Sequence, residues 1–152
     1  MSEMSSKAAF PVRQKVFAET SSQETRLPEA RIMSTPTSAE LASKRCVPCE
    51  GGVPALSAQE ALTLAQSVTG WTVDSAAHQI SRSWTVKNFM AGIDFFTKVA
   101  ALAEEEGHHP DLHLEGYRQV KIVLWTHAVG GLTENDFILA AKINEIPIEV
   151  RR

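Results

Sequence analysis

The sequence predicts an α+β fold: a four-stranded antiparallel sheet with helices packed on one face, in the order αββαββα. Three observations carry this. Two pairs of short alternating segments each follow a helix and are joined by turns, which favours neighbouring antiparallel strands. Two Ser/Thr–x–x–Glu/Asp patterns, Ser57 with Glu60 and Thr133 with Asp136, mark helix starts. Between them runs a long segment, about 88 to 106, with apolar residues at spacings of three and four.

The first helix opens at Ser57, and Ala58, Ala61, Leu62, Ala65 and Val68 supply its apolar stripe before Gly70 ends it. Trp71-Thr72-Val73 reads as a short strand and Asp74 to His78 as the following turn. From Gln79 to Val86, Ile80, Trp84 and Val86 share one face opposite Ser81, Ser83 and Thr85, with Arg82 interrupting the apolar side. Asn88 is a good N-cap for the long helix, whose expected core stripe is Phe89, Ile93, Phe96, Ala100 and Ala103. Gly107 stops that helix and Pro110 prevents its continuation, so His108 and His109 fall at a helix exit. Leu112 to Leu114 gives a third strand, with Glu115-Gly116 as its turn. Tyr117 to His127 gives the fourth, with Val120, Ile122 and Leu124 facing the helices and Gln119, Lys121, Val123, Trp125 and His127 facing away. After the Gly130-Gly131 turn, the last helix runs from 133 to about 145, with Phe137, Ile138, Ala141 and Ile143 available for packing.

Residues 1–45 differ from the rest. They are dense in Ser and Thr and lack sustained apolar periodicity, which reads as a disordered N-terminal extension. Arg13, Lys15, Arg26 and Arg31 fit a transit peptide, whereas Glu3, Glu19, Glu24 and Glu29 argue against one. Residues 46–54 read as a linker that contains a CxxC, Cys46-Val47-Pro48-Cys49, and ends in a turn at Glu50 to Pro54. No other cysteine exists to complete a zinc site and no strand precedes the motif, so docking against the domain is favoured over redox or metal chemistry. The domain then covers 55–152.

A length of 152 residues bounds one domain with a real core. Apolar content of 43% and charged content of 22% are ordinary for a globular protein, and a net charge of −3 gives no electrostatic case for nucleic acid or an anionic membrane. No apolar run approaches the roughly 20 residues of a membrane-spanning helix. Two cysteines make no disulfide framework, which fits a reducing compartment, cytoplasmic or organellar.

The chemistry concentrates in two places. Three of the five histidines, His108, His109 and His127, lie at a helix exit and at a strand end, and Glu104 precedes His108 by one helical turn. Histidine is the side chain best suited to exchange protons near neutral pH, so three brought together form an acid–base candidate. Trp71, Tyr117 and Trp125 can offer a flat aromatic surface. His78 and His113 read as surface residues, and Asp136 as a capping residue. Three histidines with a Glu can also ligate zinc, but no HxH or HExxH pair sits on a regular element. There is also no Gly-rich phosphate loop and no GxSxG.

These residues resemble the pterin-4a-carbinolamine dehydratase family. The resemblance rests on Glu104-x3-His108-His109-Pro110, on Trp125-Thr126-His127, on Gly131-Leu132-Thr133-Glu134-Asn135-Asp136 and on Gly70-Trp71, and it spans about 55 to 146. Gly-His-His-Pro-Asp-Leu-His-Leu, with Lys44 to Cys49 upstream, is most similar to its plant and protist branch. The resemblance implies dehydration of 4a-hydroxytetrahydrobiopterin to quinonoid dihydropterin, without a cofactor, in tetrahydropterin regeneration for aromatic amino acid hydroxylases. It implies His108, His109 and His127 as the acid–base set and Glu104, Trp71 and Asp136 as substrate-binding residues. The open sheet edges suggest a homodimer or tetramer. The animal branch also resembles a transcriptional coactivator, which leaves a non-catalytic pterin- or protein-binding module as the second reading. Leu112 and His113 replace bulky aromatics of that branch, so the coactivator role is not carried over.

Overall fold

A computed structural model describes residues 34–48 and 52–152. The expectations for residues 1–33, and for Cys49, Glu50 and Gly51, lie outside the described residues. The elements are α1 (Ser38–Ser43), α2 (Ala58–Ala65), β1 (Thr72–Val73), β2 (Ile80–Thr85), α3 (Phe89–Glu106), β3 (Asp111–Glu115), β4 (Gln119–Leu124) and α4 (Glu134–Glu145), with a 3-10 turn at His127–Val129.

The sheet is four-stranded and antiparallel throughout, in the order β1-β2-β4-β3. Its register places Ile80 opposite Leu124, Trp84 opposite Val120, and Leu112 and Leu114 opposite Ile122 and Val120. Alternation then aims these side chains at the helices, and Ile80, Val120, Ile122 and Leu124 are fully buried. Arg82 on that face is accommodated by hydrogen bonding. Its guanidinium donates to the Thr69 carbonyl (2.8 Å) and lies 4.8 Å from the Trp84 ring centre.

Beyond β1, the C-terminal segment covers the rest of the β2 edge. Val150 bridges Val86, the Lys87 N–H donates to the Glu149 carbonyl, and the Arg151 N–H donates to the Thr85 carbonyl. At the other side of the sheet β3 is the edge strand, and His113 is exposed on it.

Two apolar stripes differ from the sequence expectation. On α3 the buried residues are Gly92, Phe95, Val99 and Ala103, while Phe89 and Ile93 are 50% and 37% exposed. Both stripes satisfy the same period. The choice is made by close approach, because Gly92 faces the sheet and a Cβ there would meet Leu114 at 3.3 Å. On α2, Leu62 is likewise exposed, while Ala61 and the following Val68 are buried. In α4, by contrast, all four anticipated residues are buried, together with Leu139 and Ala140.

The boundary at residue 45 needs correction, because residues 34–48 belong with the domain. Thr37 and Glu40 form a capping box that starts α1, and Leu41 is fully buried in the core. Beyond α1 the chain runs as a strap over the ends of α3 and α4. The Cys46 N–H donates to Glu106 Oε2 (2.8 Å), the Val47 N–H to Asn135 Oδ1 (3.0 Å), and Asn135 Nδ2 to the Val47 carbonyl (2.7 Å). Burial first, and then the neighbouring Glu106 carboxylate, push the Cys46 thiol up to about 12, so it is un-ionised at neutral pH.

Glu106, with only 2% of its side chain exposed, also pairs with Lys142 of α4. Burial alone raises a carboxyl, but here hydrogen bonds from Lys142 and Cys46 outweigh it and hold Glu106 below its ordinary value of 4.5. A depressed folded value stabilises the protein above pH 4.5, and that contribution is lost as pH falls through the folded value. Urea midpoints from pH 7 to 3 should therefore show wild type losing its advantage over Glu106→Gln on the acid side; a constant gap would refute the linkage.

Candidate active site

The site is assembled where three elements end. The first is the exit of α3. Gly107 adopts the left-handed conformation (φ 63°), its N–H reaches the Glu104 carbonyl, and the His108 N–H reaches the Ala103 carbonyl. This is a Schellman turn, and a side chain with a Cβ is disfavoured at its left-handed position. The turn folds His108 back against the protein (8% exposed) and leaves His109 in solvent. Pro110 then leads into β3.

The second element is the end of β4. Thr126 continues the extended chain (φ −97°, ψ 104°) and exchanges backbone hydrogen bonds with Gly131, closing a loop that holds the turn beginning at His127. Thr126 points inward and is buried, whereas His127 is exposed. The third is the start of α4. Asp136 is completely buried and accepts the Thr133 N–H (2.8 Å) as half of the capping box.

Asp136 joins the three. Its Oδ2 also accepts from Thr126 Oγ1 (2.9 Å), and its Oδ1 lies 2.7 Å from His108 Nε2. A carboxylate can only accept, so the shared proton sits on Nε2 and His108 is left with Nδ1 for a ligand. On the outer side, His109 Nε2 lies 2.9 Å from Glu104 Oε1, and this pair is largely exposed.

His108, His109 and His127 line one cleft of about 430 Å³, together with Pro48, Gly107, Trp125, Thr126 and Ala128. That volume falls in the range of small-molecule sites. Glu104 stands beside it through His109. Three expectations change. Asp136, expected to bind substrate, is sealed from solvent and is hydrogen-bonded to His108 and Thr126. Trp71 is placed in the core, edge-on to Trp84 with its indole N–H on Asn144 Oδ1 (2.9 Å), and is not among the residues that line the cleft. Tyr117 sits at the β3–β4 turn, the opposite end of these strands, which leaves Trp125 as the aromatic wall. Pro48 was not anticipated, because only the docked strap brings it here.

Among the described residues, no group of three or more His, Cys, Asp or Glu side chains is arranged to hold a metal ion. Treatment with EDTA is expected to leave activity unchanged; a loss restored by zinc would show a metal role. No helix among the described residues is long and apolar enough to cross a membrane.

An antiparallel α+β layer thus carries a histidine–carboxylate cluster and an open cleft at one end. The chain belongs to the pterin-4-alpha-carbinolamine dehydratase family, a family of hydro-lyases: the model of "Pterin 4 alpha carbinolamine dehydratase" matches residues 54–146. It is 56% identical over 114 residues to the mitochondrial pterin-4-alpha-carbinolamine dehydratase 2 of Arabidopsis thaliana, covering 73% of this chain and 61% of that one. It is 44% identical over 109 residues to a Methylococcus capsulatus protein named for the same activity, covering 72% and 95%. A solved structure described as a transcriptional coactivator/pterin dehydratase, from Brucella melitensis, matches with a TM-score of 0.55 and 31% identity, over 59% of this chain and 95% of that one.

Proposed function

We propose that this chain dehydrates 4a-hydroxytetrahydropterin to quinonoid dihydropterin during tetrahydropterin regeneration, with His108, His109 and His127 as the acid–base set. The observation that carries this is the convergence of these three histidines, distant in sequence, on a single cleft.

The reaction needs two proton transfers. An acid delivers a proton to the 4a-hydroxyl, the C4a–O bond breaks and water leaves. A base takes the N5 proton, and the C4a=N5 double bond forms. His109 and His127 are exposed at the cleft and can exchange protons with substrate and solvent, whereas His108, tied to Asp136, presents one fixed nitrogen. Glu104 accepts the pterin's N–H groups, exchanging its bond to His109 for them. Positioned acid–base groups typically contribute about 10²–10⁴-fold each.

His109→Ala and His127→Ala are each expected to slow dehydration by about 10²-fold or more, and to leave the melting temperature nearly unchanged because neither side chain is buried. The assay is stopped-flow loss of 4a-hydroxytetrahydropterin absorbance. Unchanged turnover in both variants would sink the assignment, and a folded wild type without activity would favour the binding-module reading. The open edge of β3 supports self-association into a homodimer or tetramer.

A further inference from the structure

We propose that Trp125 is a positioning residue that clamps the His127 imidazole at the mouth of the cleft, with Asp111 fixing the indole. The catalytic half of this rests on the proposed function.

In extended backbone at Thr126, residues 125 and 127 project to the same side while Thr126 is held inward by Asp136 and Thr133. The two rings meet there. Their centres are 3.7 Å apart and their planes are inclined by 22°, a stacked arrangement. A stack at this distance restricts the imidazole to rotamers that keep its plane parallel to the indole. Exposed side chains otherwise change rotamer on the picosecond-to-nanosecond scale, and His127 is exposed and starts a short turn.

The indole is itself anchored. Its N–H donates to Asp111 Oδ2 at 3.1 Å. The β3–β4 register makes this reach possible, because Asp111 opposes Val123, two residues before Trp125. Asp111 follows the His109-Pro110 exit, so one contact ties the loop bearing His108 and His109 to the strand end bearing His127. A general acid or base must be held within hydrogen-bond reach of its proton, and misplacement by about 1 Å can cost up to about 10²-fold.

The test is a double-mutant cycle with a structural readout. Trp125→Leu should lower kcat by about tenfold with KM within about twofold, and Trp125→Phe, which keeps the stack, should retain most of kcat. In a His127→Ala background, Trp125→Leu should cost nothing further. A raised KM with unchanged kcat would make Trp125 a substrate-binding surface instead, and an equal loss with and without His127 would show that it acts elsewhere; either overturns the proposal. NMR reads the clamp independently of turnover. The His127 ring protons, shifted upfield by the indole in the full chain, should move downfield in Trp125→Leu and partly in Asp111→Ala. Signals that stay in place would refute the clamp even in an active enzyme, whereas an inactive wild type with shifted signals would refute only the proposed function.

Discussion

Replacing Asp136 with alanine is expected to be the most damaging single change in this protein. The substitution strips a completely buried carboxylate and leaves three donors without their acceptor: His108 Nε2–H, Thr126 Oγ1–H and the Thr133 N–H. Each buried unpaired group costs roughly 1–3 kcal/mol, so a total of about 3 kcal/mol or more follows even with some relaxation. For a domain of this size that corresponds to a melting temperature lower by roughly 10 °C. Activity should fall as well, because His108 loses the bond that fixes its tautomer. Asp136→Asn separates the two effects. It preserves volume and an acceptor for Thr126 or Thr133, yet can turn an amide N–H toward His108. Most of the stability should return while turnover stays low. An alanine variant that melts like wild type would show that the network contributes little.

The second large effect concerns the strap. A chain starting at Gly52 should be markedly less stable than one starting at Ser34. The shorter chain lacks Leu41, whose full burial is worth about 2 kcal/mol. It also lacks the three strap hydrogen bonds to Glu106 and Asn135, at about 1 kcal/mol each, giving a loss of about 5 kcal/mol in all. Because Pro48 is one wall of the cleft, KM for the pterin should rise too. Thermal melts and initial rates on the two chains decide the matter. Equal melting temperatures would return residues 34–48 to the status of an extension.

What was legible in the sequence followed from local chemistry. Capping residues Ser57, Asn88 and Thr133 each stand where a helix begins, and Gly107 with Pro110 marked the turn that presents the histidine pair. Two-residue alternation recovered the buried face of β4. Elsewhere several solutions shared one local pattern, and long-range packing chose between them. The α3 stripe is one such case, decided by contact of Gly92 with Leu114 and Val120. Trp71 is another. Its position beside Gly70 cannot reveal that Asn144 and Trp84, 73 and 13 residues later, draw it into the core. Docking of the segment from Cys46 was read from the sequence, whereas α1 before it was hidden for the same reason. The composition of residues 34–45 is that of a tail, and only packing of α1 against α4 makes them part of the domain. The Thr37–Glu40 capping box, identical in kind to the one at Ser57, was the local signal that pointed to it.

The strap also has a consequence for synthesis. Asp136 reaches back 10 residues to Thr126 and 28 to His108, so the hydrogen-bonded cluster around it closes within one short stretch of chain. Val47 waits for Asn135, 88 residues downstream, on the last helix of this domain. Leu41, on the helix that packs against α4, and Val47 therefore remain undocked while nearly all the rest of the domain is translated, and the earliest segment of the domain to be made is the last to be buried. Until α4 emerges, that segment stays open with Leu41 uncovered.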